Sequence, residues 1–151
     1  MKVLVFHIGD DRYGLRLTAI VRVLPLLELK RLPLVPDYVA GLMDLHGEPV
    51  PVIDLSRLAG LAPAALQFDT RIVVVDYHAP DGTSHALGLM ASRVRGIAEV
   101  DQEQLGDSGV ATAPFLGQVA SDADGMLQLI ELDQLLSNQV RALLFPQGGA
   151  A

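Results

Sequence analysis

His78 and His85 flank a turn-forming segment, Ala79-Pro80-Asp81-Gly82-Thr83, and could face each other across it. Two imidazoles at a hairpin mouth supply part of a metal-ligand shell. The chain has no Cys, and no carboxylate stands at ligand spacing to complete that shell, so an exposed cross-strand pair is expected and no metal. Asp54 is the carboxylate best placed to act as an acid, but it directly precedes Leu55-Ser56-Arg57-Leu58. That is the position of a helix cap, where a side-chain oxygen satisfies otherwise free backbone N–H groups. Glu131 holds the matching position before Leu132-Asp133-Gln134-Leu135, and the same structural role is expected of it. Asp122, Asp124 and Gly125 form a fragment of a calcium loop that lacks its closing Glu, which leaves a plain turn. Ser92-Arg93-Val94-Arg95 could receive a phosphate, and an exposed strand edge explains it equally well. There is no Gly-x-Ser-x-Gly elbow, no P-loop and no His-Glu-x-x-His helix, so no catalytic residue and no cofactor are expected.

The bulk composition narrows the partners. The 151 residues are half hydrophobic, enough for a packed interior, and carry a formal charge of −7. Two Lys and nine Arg, with no basic run longer than Lys30-Arg31, offer no patch to replace counterions around phosphates. Nucleic acid and anionic membrane are therefore not expected as partners. No apolar run is long enough to cross a bilayer, and the start, MKVLVFHIGDDRYG, lacks the longer apolar segment and cleavage site of a signal peptide. Together with the absence of Cys, this favours the cytosol. Residues 1–60 balance seven basic against seven acidic groups, whereas residues 61–151 carry four against eleven. The second half holds the whole acidic excess.

The elements that must position these residues read as short strands. Val3–Ile8 and Tyr13–Leu17 form a hairpin about Gly9–Arg12, and strand character resumes through Ile20, Val21 and Val23 to Pro25. Residues 26–35 connect, and Pro36–Val39 is expected to make a helical turn. Gly41–Leu45 and Pro49–Ile53 are strands joined at His46-Gly47-Glu48, followed by a short helix that stops at Gly60. After a linker over residues 61–70 come strands at Arg71–Tyr77, Ala86–Ala91, Val94–Val100, Phe115–Ala120 and Met126–Ile130, then a short helix at Leu132–Leu136. The tail from Pro146 is expected to be disordered. Gly41, Gly47, Gly88, Gly96 and Gly117 lie inside or at the ends of strands, where Gly marks a bulge, a corner or a close backbone approach.

The halves resemble each other. Tyr13-Gly14-Leu15 and Ile20 match Leu87-Gly88-Leu89 and Val94 at an offset of 74, and residues 52–58 match residues 129–135 at an offset of 77. A duplicated unit of short strands with tight turns implies two small closed barrels. Each alone has a marginal core, so the pair is expected to pack together.

Residues 13–58 carry a more specific pattern. Tyr13-Gly14-Leu15, Ile20, Leu32-Pro33 and Pro36 lead into Val39-Ala40-Gly41-Leu42-Met43-Asp44-Leu45-His46-Gly47-Glu48-Pro49-Val50-Pro51-Val52-Ile53-Asp54-Leu55. This string resembles the CheW family of chemosensory coupling proteins, which reads Pro-x-x-Val-x-Gly, then Asn-Leu-Arg-Gly, then Val-x-Pro-Val-Ile-Asp-Leu. The second half follows with Leu87-Gly88-Leu89, Val94, Ile97, a late Leu-Gly and Ile130-Glu131-Leu132-Asp133. The resemblance covers roughly residues 2–138.

It implies an all-β fold of two packed SH3-like five-stranded barrels with short helices: one CheW-like domain over 1–145, with subdomains of about 1–66 and 67–140 and a tail at 146–151. It implies a protein without catalytic activity that bridges the cytoplasmic tip of a chemoreceptor to the regulatory domain of a CheA-type histidine kinase. The implied location is the cytoplasm, recruited to membrane-associated receptor arrays without membrane insertion. In the family, a groove between the barrels receives the receptor helices. The matching positions are Ile20, Gly41, His46, Gly47, Val94 and Ile97. The kinase-facing residues cannot be assigned from sequence.

Two departures bear on that site. The family's Arg before Gly is His46, and an Asp after the Gly88 strand is Ser92. Arg brings a permanent charge and a rigid fork of donors, which a neutral imidazole does not. These changes suggest a specialised or accessory, not necessarily flagellar, pathway. Two other readings remain open: a competitor that binds kinase or receptor without bridging them, and a small-ligand barrel using Asp44, His46 or Asp54.

Overall fold

The computed structural model describes residues 1–64, 69–110 and 112–146, so residues 147–151 of the expected tail at 146–151 and residues 65–68 of the expected linker lie outside the described residues. The described strands are β1 (Lys2–Ile8), β2 (Asp11–Arg16), β3 (Ile20–Pro25), β4 (Val39–Leu45), β5 (Glu48–Asp54), β6 (Arg71–His78), β7 (Ser84–Glu99), β8 (Leu116–Asp122) and β9 (Gly125–Ile130). Two helices, α1 (Leu55–Leu58) and α2 (Asn138–Leu144), accompany them. No described helix is long and apolar enough to cross a membrane.

Strand β7 organises the molecule. Its 16 residues serve two sets of partners. Ser84–Ala91 pairs with β6, and the stretch from Ser92 to Glu99 pairs with β1. Between them Arg93 (φ 50°) and Gly96 (φ 157°) break the regular extended backbone, and the register against β1 shifts between Val5 and His7. A bulge of this kind bends a strand without ending it. One five-stranded barrel is therefore β3, β6, the first part of β7, β5 and β4, and the other is the second part of β7, β1, β2, β9 and β8. Strands from before and after residue 66 occur in both. Each seam is tied by a single bridge, Lys30 to Leu42 in one barrel and Gly106 to Val119 in the other.

The internal repeat reappears as matched hydrogen bonds. Asp54 N donates to Tyr38 O at 2.8 Å, and Glu131 N donates to Phe115 O at 2.7 Å, 77 residues further on. The parallel pairs also correspond: Val52 lies opposite Gly88 between β5 and β7, and Leu129 lies opposite Gly14 between β9 and β2. In each parallel pair, one strand comes from the first half of the chain and the other from the second. Both glycines are closely approached across these pairs: a Cβ on Gly88 would lie 3.0 Å from Val52 Cγ2 of β5, and one on Gly14 would lie 3.3 Å from Leu127 Cδ2 of β9.

Side-chain alternation builds the interior. Successive strand residues point to opposite faces, and here both faces are occupied. On β6, Ile72 and Val74 fill one barrel with Met43, Val50, Val52 and Met90, whereas Val73, Val75 and Tyr77 face the core shared between the barrels. On β1, Val3 fills the other barrel with Val100, Leu127 and Leu129, whereas Leu4, Phe6 and Ile8 face the shared core. The shared cluster is the largest of the three. At about 1.5–3 kcal/mol for each fully buried aliphatic or aromatic side chain, it dominates the favourable side of folding.

Several expectations are corrected. Ala86–Ala91 and Val94–Val100 are one bent strand, because the bulge preserves pairing across the bend. Pro36–Val39 is a hydrogen-bonded turn, Val39 N to Pro36 O at 3.0 Å, and not a helix; Val39 already begins β4. The second-half helix start is only a single 3₁₀ turn, Leu132–Gln134, and Glu131 makes no side-chain cap. Its carboxylate instead takes both Arg16 guanidinium nitrogens at 3.2 Å. Helix α2 was not expected from the sequence. Ser137 caps it by accepting from Val140 N at 3.2 Å, and Arg141 Nε donates to the Tyr77 hydroxyl at 2.9 Å.

Gly41 offers the sharpest test of this architecture. Its φ is +148°, and a Cβ there would lie 2.4 Å from the Lys30 carbonyl oxygen, part of the seam bridge. Gly41→Ala is expected to destabilise the fold by about 2–4 kcal/mol, read as a lowered urea midpoint at unchanged m-value.

Candidate functional site

The hairpin joining β4 and β5 has a two-residue loop, with Leu45 opposite Glu48. The type I′ form of such a loop, whose twist matches that of the flanking strands, has positive φ at both central residues. His46 (φ 52°) and Gly47 (φ 89°) supply it. Asp44 Oδ1 accepts from Gly47 N at 2.7 Å and holds the loop closed. The His46 ring thereby projects to the neighbouring strand β3, where its Nε2 lies 3.2 Å from Arg22 Nη1. A guanidinium only donates, so Nε2 is the acceptor and the ring is the neutral Nδ1–H tautomer. Both residues are exposed.

The expected site residues fall into distinct places. Ile20, at the start of β3, and Val94, just beyond the first part of β7, are half-buried and pack against the shared core. They are equivalent in the two halves, and each sits at a register shift or bend of its strand. Ile97 is 59% exposed on the second part of β7, opposite Leu4. Gly41 is buried in the barrel wall and contributes space for the Lys30 backbone. Thus the contact between Arg22 and His46 joins β3 to the β4–β5 turn, while Ile20 of the same strand packs against the shared core. Val94 and Ile97 lie on the strand of the other barrel, and β3 and β7 are not direct partners.

Sequence reasoning missed the exposed face of β3. Val21 is 59% and Val23 42% exposed, on either side of exposed Arg22. The signal was a lone Arg within the β-branched run IVRV, but such a run reads equally well as a buried strand.

Other polar groups are accounted for locally. Asp54 is buried; its Oδ1 accepts from Ser56 N and Arg57 N at 3.0 and 3.4 Å, and its Oδ2 from Ala64 N at 3.0 Å, as expected of a cap. His78 and His85 do not face each other, because the register sets His78 against Ser84 and His85 against Tyr77. His78 Nδ1 meets Ser84 Oγ at 2.9 Å, and the His85 ring stacks on Phe145 at 4.3 Å. Among the described residues no three His, Asp or Glu side chains converge as a metal site would require. Asp122 pairs with Arg12 at 2.8 Å, and that hydrogen bond holds its carboxyl below the usual range.

His7 marks the other side of the β7 bend, opposite Ser92. Its Nδ1 is buried without a partner. Burial lowers its pKa, the charges of Arg93, Arg95 and Arg12 lower it further, and a contact with the Arg93 backbone opposes them.

A pair of SH3-like barrels sharing one bent strand, with exposed apolar and cationic side chains on its strand faces, defines the structural class. Residues 2–140 match the CheW-like domain, and the chain belongs to that family. Its relatives include the chemotaxis protein CheW of Klebsiella aerogenes, 24% identical over 147 residues that cover 93% of this chain and 84% of the relative. The chemotaxis protein CheW of Bacillus subtilis is 22% identical over 142 residues, covering 91% and 88%. The crystal structure of the scaffolding protein TtCheW from Thermoanaerobacter tengcongensis superposes with a TM-score of 0.80 at 25% identity, covering 92% of this chain and 89% of that one.

The His7 environment gives a pH signature. Its folded pKa is depressed below 6.5, so between those values the unfolded chain binds more protons. Its contribution is complete above about pH 6.5 and is lost as the pH falls. Lowering the pH from 7.5 to 5.5 is expected to reduce the urea midpoint of the natural chain more than that of His7→Gln. Parallel profiles for the two proteins would contradict this.

Proposed function

We propose that this chain is a chemosensory adaptor that couples the cytoplasmic tip of a chemoreceptor to the regulatory domain of a CheA-type histidine kinase. The observation that carries this reading is the CheW-like match over residues 2–140, on a chain that also has the double-barrel fold of a scaffolding protein. The relatives named above are chemotaxis proteins, and a scaffold acts by presenting two surfaces at once. A two-barrel body supplies them physically. The receptor helix packs on Ile20, Val94 and Ile97, with the His46-Gly47 turn at its edge, in the helix-on-apolar-groove manner. Gly41 acts on that surface only by fixing the β4 backbone. The protein works in the cytoplasm and joins membrane-associated arrays through its receptor partner.

His46 in place of the family's Arg supports a specialised or accessory pathway, not necessarily one that steers flagella. His46→Arg is expected to change affinity for at least one receptor cytoplasmic fragment of the same organism, by about three- to tenfold in titration calorimetry. Unchanged affinity for all of them removes the basis for a specialised partner.

The coupling itself is tested by a three-way binding assay with purified kinase regulatory domain and receptor cytoplasmic fragment. A ternary complex in size-exclusion chromatography with light scattering is expected. Mutually exclusive binding would instead identify a competitor that occupies one partner without bridging.

A further inference from the structure

We propose that the cavity lined by α1, the turn before β4 and α2 binds a singly charged carboxylate with an apolar tail, the Arg141 guanidinium taking the carboxylate and the Tyr38, Leu58, Phe115 and Leu135 side chains packing on the tail. The inference goes beyond the adaptor reading and does not depend on it.

The cavity has a volume of about 490 Å³, the size of a small-molecule site. Its apolar wall comes from both halves of the chain. Tyr38 and Leu58 line it from the first half, Phe115 and Leu135 from the second, and each pair is related by the repeat offset of 77. The meeting place of the halves therefore has room at this end for a guest. None of Ile20, His46, Gly47, Val94 and Ile97 lines it, so it is separate from the receptor-facing surface.

The polar side of the lining carries a fixed cation. Arg141 donates from Nε to the Tyr77 hydroxyl at 2.9 Å, from Nη1 to Asn138 Oδ1 at 2.8 Å and from Nη2 to the Leu136 carbonyl at 3.3 Å. All three acceptors are neutral, so they orient the guanidinium and leave its charge in place. Two of its five N–H donors remain, one on each terminal nitrogen, the number that a carboxylate takes in a bidentate grip. Arg22 and Arg31 are also without an ion pair among the described residues, but neither is held by three bonds. Tyr38 adds a second donor to the lining. Its hydroxyl forms no hydrogen bond among the described residues, and burial raises its pKa, so it stays a neutral phenol. The acidic side chain of the lining, Asp133, is exposed and forms no ion pair with Arg141. It offsets the arginine's field, and the whole chain stands at −7, so one negative charge is admitted and two are repelled.

The test titrates the full chain with 3-phenylpropionate, 3-phenylpropanamide, N-acetylglycylphenylalanine and inorganic phosphate, followed by protein NMR shifts. 3-Phenylpropionate is expected to bind, with shifts centred on α1, α2, Tyr38 and Phe115. The amide keeps the tail and loses the charge, so it is expected to bind about tenfold more weakly. Phosphate is expected to leave the bound acid in place. Arg141→Gln is expected to weaken the acid about tenfold and the amide little. Arg141 also holds Tyr77, so a second variant approaches the site from another wall: Leu58→Trp fills the cavity, leaves the Arg141 contacts alone and is expected to abolish binding of acid and amide together. A peptide acid about tenfold tighter than 3-phenylpropionate assigns the ligand to a chain terminus, and a peptide acid no tighter assigns it to a free acid. Four results overturn the inference: acid and amide binding alike, phosphate displacing the acid, acid binding that survives Leu58→Trp, or no shift with the acid up to about 10 mM.

Discussion

The central strands are buried on both faces, and the rest of the molecule follows from that constraint. A strand whose alternate residues fill one barrel and the shared core in turn has no face left for solvent. On β6 this is met by four consecutive apolar residues, Ile72 to Val75, followed by Tyr77 after one Asp. On β7 it is met by Leu87, Leu89 and Ala91 on one side and Ala86 and Met90 on the other. Gly88 interrupts the second series where Val52 comes too close for a side chain. Exposed side chains gather on β3, on β8 and on the second part of β7, where they do not open the core. The surfaces available to partners are thus set by the topology before any residue is chosen for binding.

Much of this was legible in the sequence, and the failures have physical causes. The strands, the His46-Gly47 turn, the Asp54 cap and the repeat all rest on local patterns: alternation, turn chemistry and a side-chain oxygen two residues ahead of a free N–H. What was illegible is non-local. Ser92-Arg93, between the apolar runs ending at Ala91 and starting at Val94, looked like a break between two strands. That β7 continues depends on β1 lying alongside. Glu131 resembled Asp54 by position, yet Arg16, distant in sequence, claims its carboxylate at 3.2 Å. Helix α2 has one buried residue, Val140, so its apolar period was too weak to register. Arg22 was overlooked for the opposite reason, because its neighbours look like core residues and are not.

The two halves share a backbone plan but differ in surface chemistry. The first-half turn at His46-Gly47 projects toward an arginine that lacks a carboxylate. The corresponding turn after β8 is tied by Arg12 to Asp122 through two hydrogen bonds, at 2.8 and 3.1 Å, and is electrostatically closed. The charge imbalance between the halves is therefore expressed at equivalent places in the fold. A duplicated scaffold with unlike ends can hold unlike guests in a fixed order.

The exchange of strands between halves also bears on how the polypeptide is made. Strand β3 finds its partner only in β6, with Pro25 opposite Arg71, and β1 closes onto residues as late as Glu99. A ribosome adding about 5–20 residues per second leaves β3 without its ladder for seconds after it emerges. During that interval the nascent chain presents an unpaired strand edge. The barrel that contains β3 has all five strands once Ala91 has emerged, whereas the other waits for β9 to reach Ile130, so the two acquire their strands in succession.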